Sequence, residues 1–259
     1  MRMPLILALI VTTSALAAAP SLEPYADWLA RLRVQLPDRD RRLIAWAHAR
    51  MGTPYVLDCQ GEGAGQDADP LFTPGKLDCT VFTLQAAASA DATDAADLLA
   101  RMKRANYRRT DADGTVHFAD RYHFSEDRVA ASPLFEDLTT SLFPARDLVR
   151  EHITLNRTPE GKPVMDIPWE RPLDFVYRPT GPGERFTPED IARFPPVCGV
   201  LFVKRSNRKF GTLVGHEGIV VYGRILIHAS SKAKRVVMEP FVPYARTRDG
   251  IALYAFKQG

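Results

Sequence analysis

Thr212-Leu213-Val214-Gly215-His216-Glu217-Gly218-Ile219-Val220-Val221-Tyr222-Gly223-Arg224-Ile225-Leu226-Ile227-His228-Ala229 is the stretch that decides the fold. Two β-branched, apolar runs, Thr212 to Tyr222 and Arg224 to Ala229, are broken by a tight turn at Tyr222-Gly223-Arg224, the pattern of a hairpin. Working outward, Val197 to Val203 reads as the strand before it, and Arg235 to Met238 and Ile251 to Phe256 as strands after it. Upstream the period changes. Leu22 to Val34 and Arg41 to Met51 read as helices, and Val81, Leu84 and Ala88 recur at helical spacing behind Asp78. The class is therefore α+β, with N-terminal helices packed on a C-terminal antiparallel sheet. Seven prolines from Pro168 to Pro196 predict a stiff surface connection, with one short helix starting near Thr187-Pro188-Glu189-Asp190.

Of 259 residues, 46% are apolar, 25% charged and 9% aromatic, which supplies a sizeable core and argues against disorder or a fibrous repeat. The 34 basic and 31 acidic residues leave a net +3, and the basic ones are scattered, so a nucleic-acid partner is not indicated. Met1-Arg2-Met3, the apolar run Pro4 to Val11 and the small residues ending Ala15-Leu16-Ala17 have the pattern of a secretory signal peptide, residues 1–17. That run is short for a bilayer span and no later one is longer, so no integral membrane segment is expected after cleavage. Residues 18–259 are expected to form a single domain in an oxidising compartment, periplasmic or secreted.

Three cysteines, Cys59, Cys79 and Cys198, leave one thiol over if two pair. Cys79 lies in Leu77-Asp78-Cys79-Thr80-Val81-Phe82, where Asp78 is a good N-cap and the thiol falls in the first helical turn. Backbone N–H groups and the helix dipole favour a thiolate there, the form that does nucleophilic chemistry. Its base must come from the histidines; His48 and His152 read as structural, whereas His216 and His228 sit on facing strands. A two-residue loop would send those two to opposite faces. A three-residue loop centred on Gly223, or a bulge, puts them on one face, and one of these is expected. Cys59 and Cys198 are expected to be disulfide-bonded or close together. Zinc is another use for a cysteine and two histidines, but His216-Glu217-Gly218 lacks the second histidine of H-E-x-x-H, and no metal is expected. In Val116 to Phe124, Arg121, Tyr122 and His123 are candidates to line a cleft for a sugar or a peptide carboxylate; the plainer reading is a buried loop with satisfied polar tips.

Gly52-Thr53-Pro54-Tyr55, Leu77-Asp78-Cys79-Thr80-Val81-Phe82, His216-Glu217-Gly218-Ile219-Val220 and Ile227-His228-Ala229-Ser230 together resemble the four signature stretches of the NlpC-type, papain-like cysteine hydrolases of bacterial peptidoglycan. Within that superfamily the chain is more similar to the N-acetylmuramoyl-L-alanine amidase-like family, whose long insertion between nucleophile helix and sheet corresponds here to about 107–196. The resemblance implies a papain-like fold and a Cys-His-His triad. Cys79 matches the nucleophile, His216 the general base, His228 the residue that orients the imidazole, and Tyr55 a tyrosine that helps hold the oxyanion. Cys79 and His216 are then expected to rest largely as a thiolate–imidazolium pair. The implied substrate is peptidoglycan or a muropeptide, with no cofactor. The expected bond joins the N-acetylmuramoyl lactyl group to L-alanine, since the insertion, with Arg104, Arg108 and Arg109 beside Arg121, Tyr122 and His123, offers room and polar groups for sugar as well as peptide. The alternative is a γ-D-glutamyl-diaminopimelate endopeptidase. A catalytically inactive cell-wall-binding module is the alternative of another class, and the intact Cys79, His216 and His228 argue against it. Acyl transfer to lipid would want an apolar surface that the sequence does not advertise. Two departures stand out: Thr80-Val81 replaces the Ser-Gly of many relatives, and Cys59 occupies the loop after Tyr55.

Overall fold

Short polar side chains start the helices where the sequence places them. The computed structural model describes residues 22–68, 71–184 and 186–258; the expected signal peptide lies outside the described residues. Helix α1 spans Leu22–Gln35, α2 Arg39–Ala49, α3 Cys79–Ser89 and α4 Ala95–Asn106. Asp38, Asp78 and Asp94 cap α2, α3 and α4, each accepting from a backbone N–H three residues on, at 2.9, 2.7 and 2.9 Å. There follow α5 (Ser125–Ala131), β1 (Phe135–Asp137), α6 (Thr139–Leu142), β2 (Val149–Leu155), β3 (Arg171–Pro179) and α7 (Pro188–Ile191). The C-terminal part holds β4 (Val197–Val203), β5 (Val214–Val221), β6 (Ile225–Ser230), β7 (Arg235–Pro240), α8 (Phe241–Ala245) and β8 (Gly250–Phe256).

The strands form one eight-stranded antiparallel sheet in the order β2-β3-β8-β4-β5-β6-β7, with β1 also paired to β8. Strand β4 is buried along its whole length, Val-Cys-Gly-Val-Leu-Phe-Val, because both faces of the sheet are covered. Val197, Leu201 and Val203 join Ile219, Ile227, Ala252 and Tyr254 in the core under α1 to α4. Cys198, Val200 and Phe202 point the other way, into a second core with Val220, Leu226 and Phe241. Strand parity thus assigns each side chain of the central strands to one of two layers.

The α+β class and the five C-terminal strands stand as expected. The proline-rich connection does not: its first part is β3, which pairs with β2 from Arg171 to Tyr177 and with β8 through Arg178 and Pro179. Pro172 and Pro179 sit near its two ends, where a missing ladder donor matters least. The short helix is present as α7, closed by a reciprocal capping box between Thr187 and Asp190. Thr212 lies outside β5 because the Glu126 carboxylate takes its hydroxyl at 2.6 Å and the N–H groups of Leu213 and Val214 at 2.7 and 2.9 Å. The segment from 107 to 196 therefore supplies strands and a clamp to the main sheet.

Candidate active site

Cys79 opens α3, behind the Asp78 cap, and is partly exposed. Helix α3 lies on the β5 face of the sheet, with Thr80 and Thr83 donating to the Glu217 carboxylate at 2.8 and 2.7 Å. That carboxylate also accepts from Ser125 Oγ at 2.8 Å, from Tyr254 OH at 3.3 Å and from Arg128, all in the layer under the helices. The N–H of Glu217 faces the Cys79 thiol. Pairing of β5 with β6 covers only Val221, Val220 and Ile219, so the earlier part of β5 is free of β6 where α3 begins. The nucleophile candidate thus sits at the fork between two strands.

His216 and His228 lie on the opposite face from Glu217. Val221 pairs with Ile225 across a three-residue loop, Tyr222-Gly223-Arg224, in which Tyr222 and Gly223 have φ of 50° and 63°. This odd loop brings both histidines to one side, as the parity argument requires, and His216 Nε2 lies 2.6 Å from His228 Nδ1. Between them on β5 is Gly218. A Cβ there would fall 2.9 Å from His228 Cβ and 3.0 Å from the Ile227 carbonyl oxygen, so the absence of a side chain lets the imidazoles meet. Phe202 stacks on His216 at 5.9 Å, and Tyr244 packs edge-on against His228 at 5.0 Å. On β7, Glu239 Oε1 lies 3.2 Å from His228 Nε2.

Burial sets the protonation of the group. Desolvation, then the Glu217 and Asp78 carboxylates, push the Cys79 thiol up to about 12, against the smaller help of the Glu217 N–H and Thr80. Burial, the neighbouring His228 and the Arg248 guanidinium push His216 down to about 3. Burial also lowers His228, opposed by Glu239. Burial thus favours the neutral form of both the thiol and the imidazole. The expected thiolate–imidazolium pair is opposed here: desolvation and two nearby carboxylates act against the dipole at the start of α3.

Tyr55 is carried to the thiol by backbone stitching. Its N–H donates to Lys234 O at 2.9 Å, and Val56 N–H to Leu77 O at 3.1 Å. Burial, with Cys79 and Asp78 beside it, pushes its hydroxyl up to about 12, which keeps it a donor. The substrate-binding candidates have other employment. Arg121 pairs with Asp67 at 2.7 Å, Tyr122 is buried, and His123 Nε2 meets the Phe118 carbonyl oxygen at 2.7 Å with its pKa lowered to about 4 by burial. Arg108 is ion-paired with Asp127 and lies 4.3 Å above the Trp169 ring, and Arg109 is held by Asp120 at 2.9 Å. Cys59 and Cys198 are both free thiols, and the expected disulfide is absent. Cys59 packs in the core under the helices and Cys198, by strand parity, in the core on the far face, so the sheet stands between them. Among the described residues no group of three or more His, Cys, Asp or Glu is placed to hold a metal ion.

Sequence reasoning missed Glu217, Glu239, Tyr244 and Arg248. Alternation along His216-Glu217-Gly218 put a carboxylate on the buried face opposite the imidazole, a signal for an internal partner. Finding Glu239 needed the β6–β7 register, which pairs His228 with Val237 and Leu226 with Glu239.

Known proteins bear on this arrangement. The fold matches a Legionella pneumophila protein of the DUF1460 family at TM-score 0.72 and 16% identity, over 90% of this chain and 94% of that one. It also matches an N-acetylmuramoyl-L-alanine amidase from Bacteroides uniformis at TM-score 0.59 and 18% identity, over 85% and 99%. At such identities these likenesses concern the fold. No curated protein matches. The profile of the N-acetylmuramoyl-L-alanine amidase-like family matches residues 45–251, which takes in Tyr55, Cys79, His216 and His228, and the chain belongs to that family.

Proposed function

We propose that the protein is a cysteine-dependent peptidoglycan amidase of papain-like type, that Cys79, His216 and His228 form its triad, and that it cleaves the amide between the N-acetylmuramoyl lactyl group and L-alanine. The observation that carries the reading is the 2.6 Å contact of His216 Nε2 with His228 Nδ1, together with a cysteine at a helix start whose thiol faces the N–H of Glu217, the residue next to His216. Family membership supports the substrate class. The domain follows a cleaved leader and works in the periplasm or outside the cell, on a wall substrate and with no cofactor.

The chemistry follows from the neutral resting pair. As substrate enters, His216 takes the Cys79 proton and the sulfur attacks the lactyl carbonyl carbon. The developing oxyanion is held by the Cys79 N–H, with the Tyr55 hydroxyl as second donor. Collapse breaks the C–N bond, and imidazolium at His216 hands its proton to the departing alanine nitrogen. Water, deprotonated by His216, then splits the thioester, releasing the lactyl carboxylate and restoring the thiol. His228 holds the His216 ring throughout.

A disaccharide tetrapeptide incubated with the protein should yield free disaccharide and intact tetrapeptide by mass spectrometry, and Cys79→Ala should yield neither. Release of a disaccharide still carrying L-Ala-γ-D-Glu would assign the γ-D-glutamyl-diaminopimelate bond instead and leave the triad standing. Full activity in Cys79→Ala would remove the triad as well.

A further inference from the structure

The triad ends at His228 in the reading above, yet the chain of contacts continues. His228 is 1% exposed and Nε2 lies 3.2 Å from Glu239 Oε1, whose side chain is 42% exposed at the rim. The β6–β7 register sets Glu239 diagonally across from His228 on the same face, so the contact is built into the sheet. We propose that Glu239 is a positioning residue which, through His228, fixes the tautomer of His216 and leaves His216 Nδ1 as the free basic nitrogen of the site.

The argument is one of donors and acceptors, and it rests on the assignment of Cys79, His216 and His228. A carboxylate only accepts, so Glu239 requires the proton on His228 Nε2. A neutral His228 then has a bare Nδ1, which accepts, and the 2.6 Å contact requires His216 Nε2 to donate to it. A neutral His216 protonated on Nε2 has its lone pair on Nδ1. No other assignment of two neutral rings satisfies both contacts. Remove the carboxylate and the opposite order becomes available: His228 Nδ1–H donates to His216 Nε2, and His216 carries its proton on Nδ1, where it takes none from a thiol. Neutral rings are what burial favours for both residues. Arg248 stands near the same pair, and Glu239 is the only acidic side chain bonded to either ring among the described residues. Loss of the directing hydrogen bond to a charged group is expected to slow the reaction by about tenfold or more.

The test reads the tautomer directly and needs no cell-wall substrate, so it stands or falls apart from the choice of bond. The full chain, labelled with 15N-histidine, is compared with Glu239→Ala, Glu239→Gln and Glu239→Asp by long-range 1H–15N spectra at neutral pH, alongside iodoacetamide alkylation of Cys79. In the parent protein both His216 and His228 should show a protonated Nε2 and a bare Nδ1. Glu239→Ala should mix the tautomers of both rings and slow alkylation about tenfold. Glu239→Gln, whose amide both donates and accepts, should also mix them while keeping the side-chain volume. Glu239→Asp should restore the parent signature in part. A His228 protonated on Nδ1 in the parent protein would overturn the proposal. So would unchanged tautomers and alkylation rate in folded Glu239→Ala and Glu239→Gln.

Discussion

At the residue scale the surroundings of Cys79 decide what its thiol can do. Thiol reactivity depends on the thiolate, and the surroundings of Cys79 oppose it: burial first, then Glu217, then Asp78, with a result of about 12. His216, pushed to about 3, is an unprotonated base across the neutral range. A thiol below its pKa gains thiolate tenfold per pH unit, so Cys79 alkylation should climb about tenfold per unit from pH 6 to 9. An ion pair would give a rate already level by pH 6. A level profile over that range, measured by mapping alkylated peptides, would restore the thiolate–imidazolium pair and remove the substrate-triggered proton transfer from the mechanism. The sequence placed Cys79 at a helix start, where the structure has it, and expected a thiolate, which burial opposes. Helix position is visible in Asp78-Cys79-Thr80, whereas the carboxylate of Glu217 reaches the thiol through tertiary packing.

At the scale of elements, Glu217 joins α3, α5, β5 and β8, since Thr80, Thr83, Ser125, Arg128 and Tyr254 all donate to it. The Arg128–Glu217 pair is sealed, at 0% and 1% side-chain exposure. Removing one partner of such a pair strands a buried charge at a cost of about 3–5 kcal/mol. Arg128→Met should therefore lower the urea-unfolding free energy by about that much, and Glu217→Gln in the same chain should return part of it. A loss under about 1 kcal/mol would mean the pair does not hold the nucleophile helix to the sheet. The hairpin of β5 and β6 was legible because its apolar alternation, its glycine turn and its parity are local. Strand β3 was not: Pro168 to Pro196 carries no clean alternation, and it pairs with β2, some twenty residues upstream, and with β8 near the C-terminus. Nor was Arg128, whose burial depends on a partner 89 positions away. Local periodicity finds elements, and long-range polar pairs that aim them stay hidden until the fold is known.

At the scale of the whole molecule, the same buried groups set a pH window for stability. His216 and His228 titrate in the folded chain below the ordinary 6.5, so between about 6.5 and about 3 the unfolded chain binds protons that the folded chain does not, and stability is lost as pH falls through that range. Asp78, raised to about 6 mainly by burial, acts with the opposite sign, its contribution fading as pH rises from 3.8 toward 6. On the alkaline side Cys59, raised to about 11, and Cys79, raised to about 12, stay protonated in the folded chain after the unfolded chain has begun to ionise near 9. Tyr55 and Tyr177, both raised to about 12 chiefly by burial, add to the same limb from about 10 upward. Stability should therefore peak between about pH 6.5 and 9 and fall on both sides. The two limbs have different owners, so variants separate them. His216→Asn should ease the acid limb, leaving the share that His228 and His123 carry, and leave the alkaline one, while Cys79→Ala should ease the alkaline limb and leave the acid one. Urea midpoints taken from pH 4 to 10 read both. An acid limb unchanged in His216→Asn would show that this imidazole titrates normally, and the neutral base at rest, on which the proton transfer from Cys79 depends, would go with it.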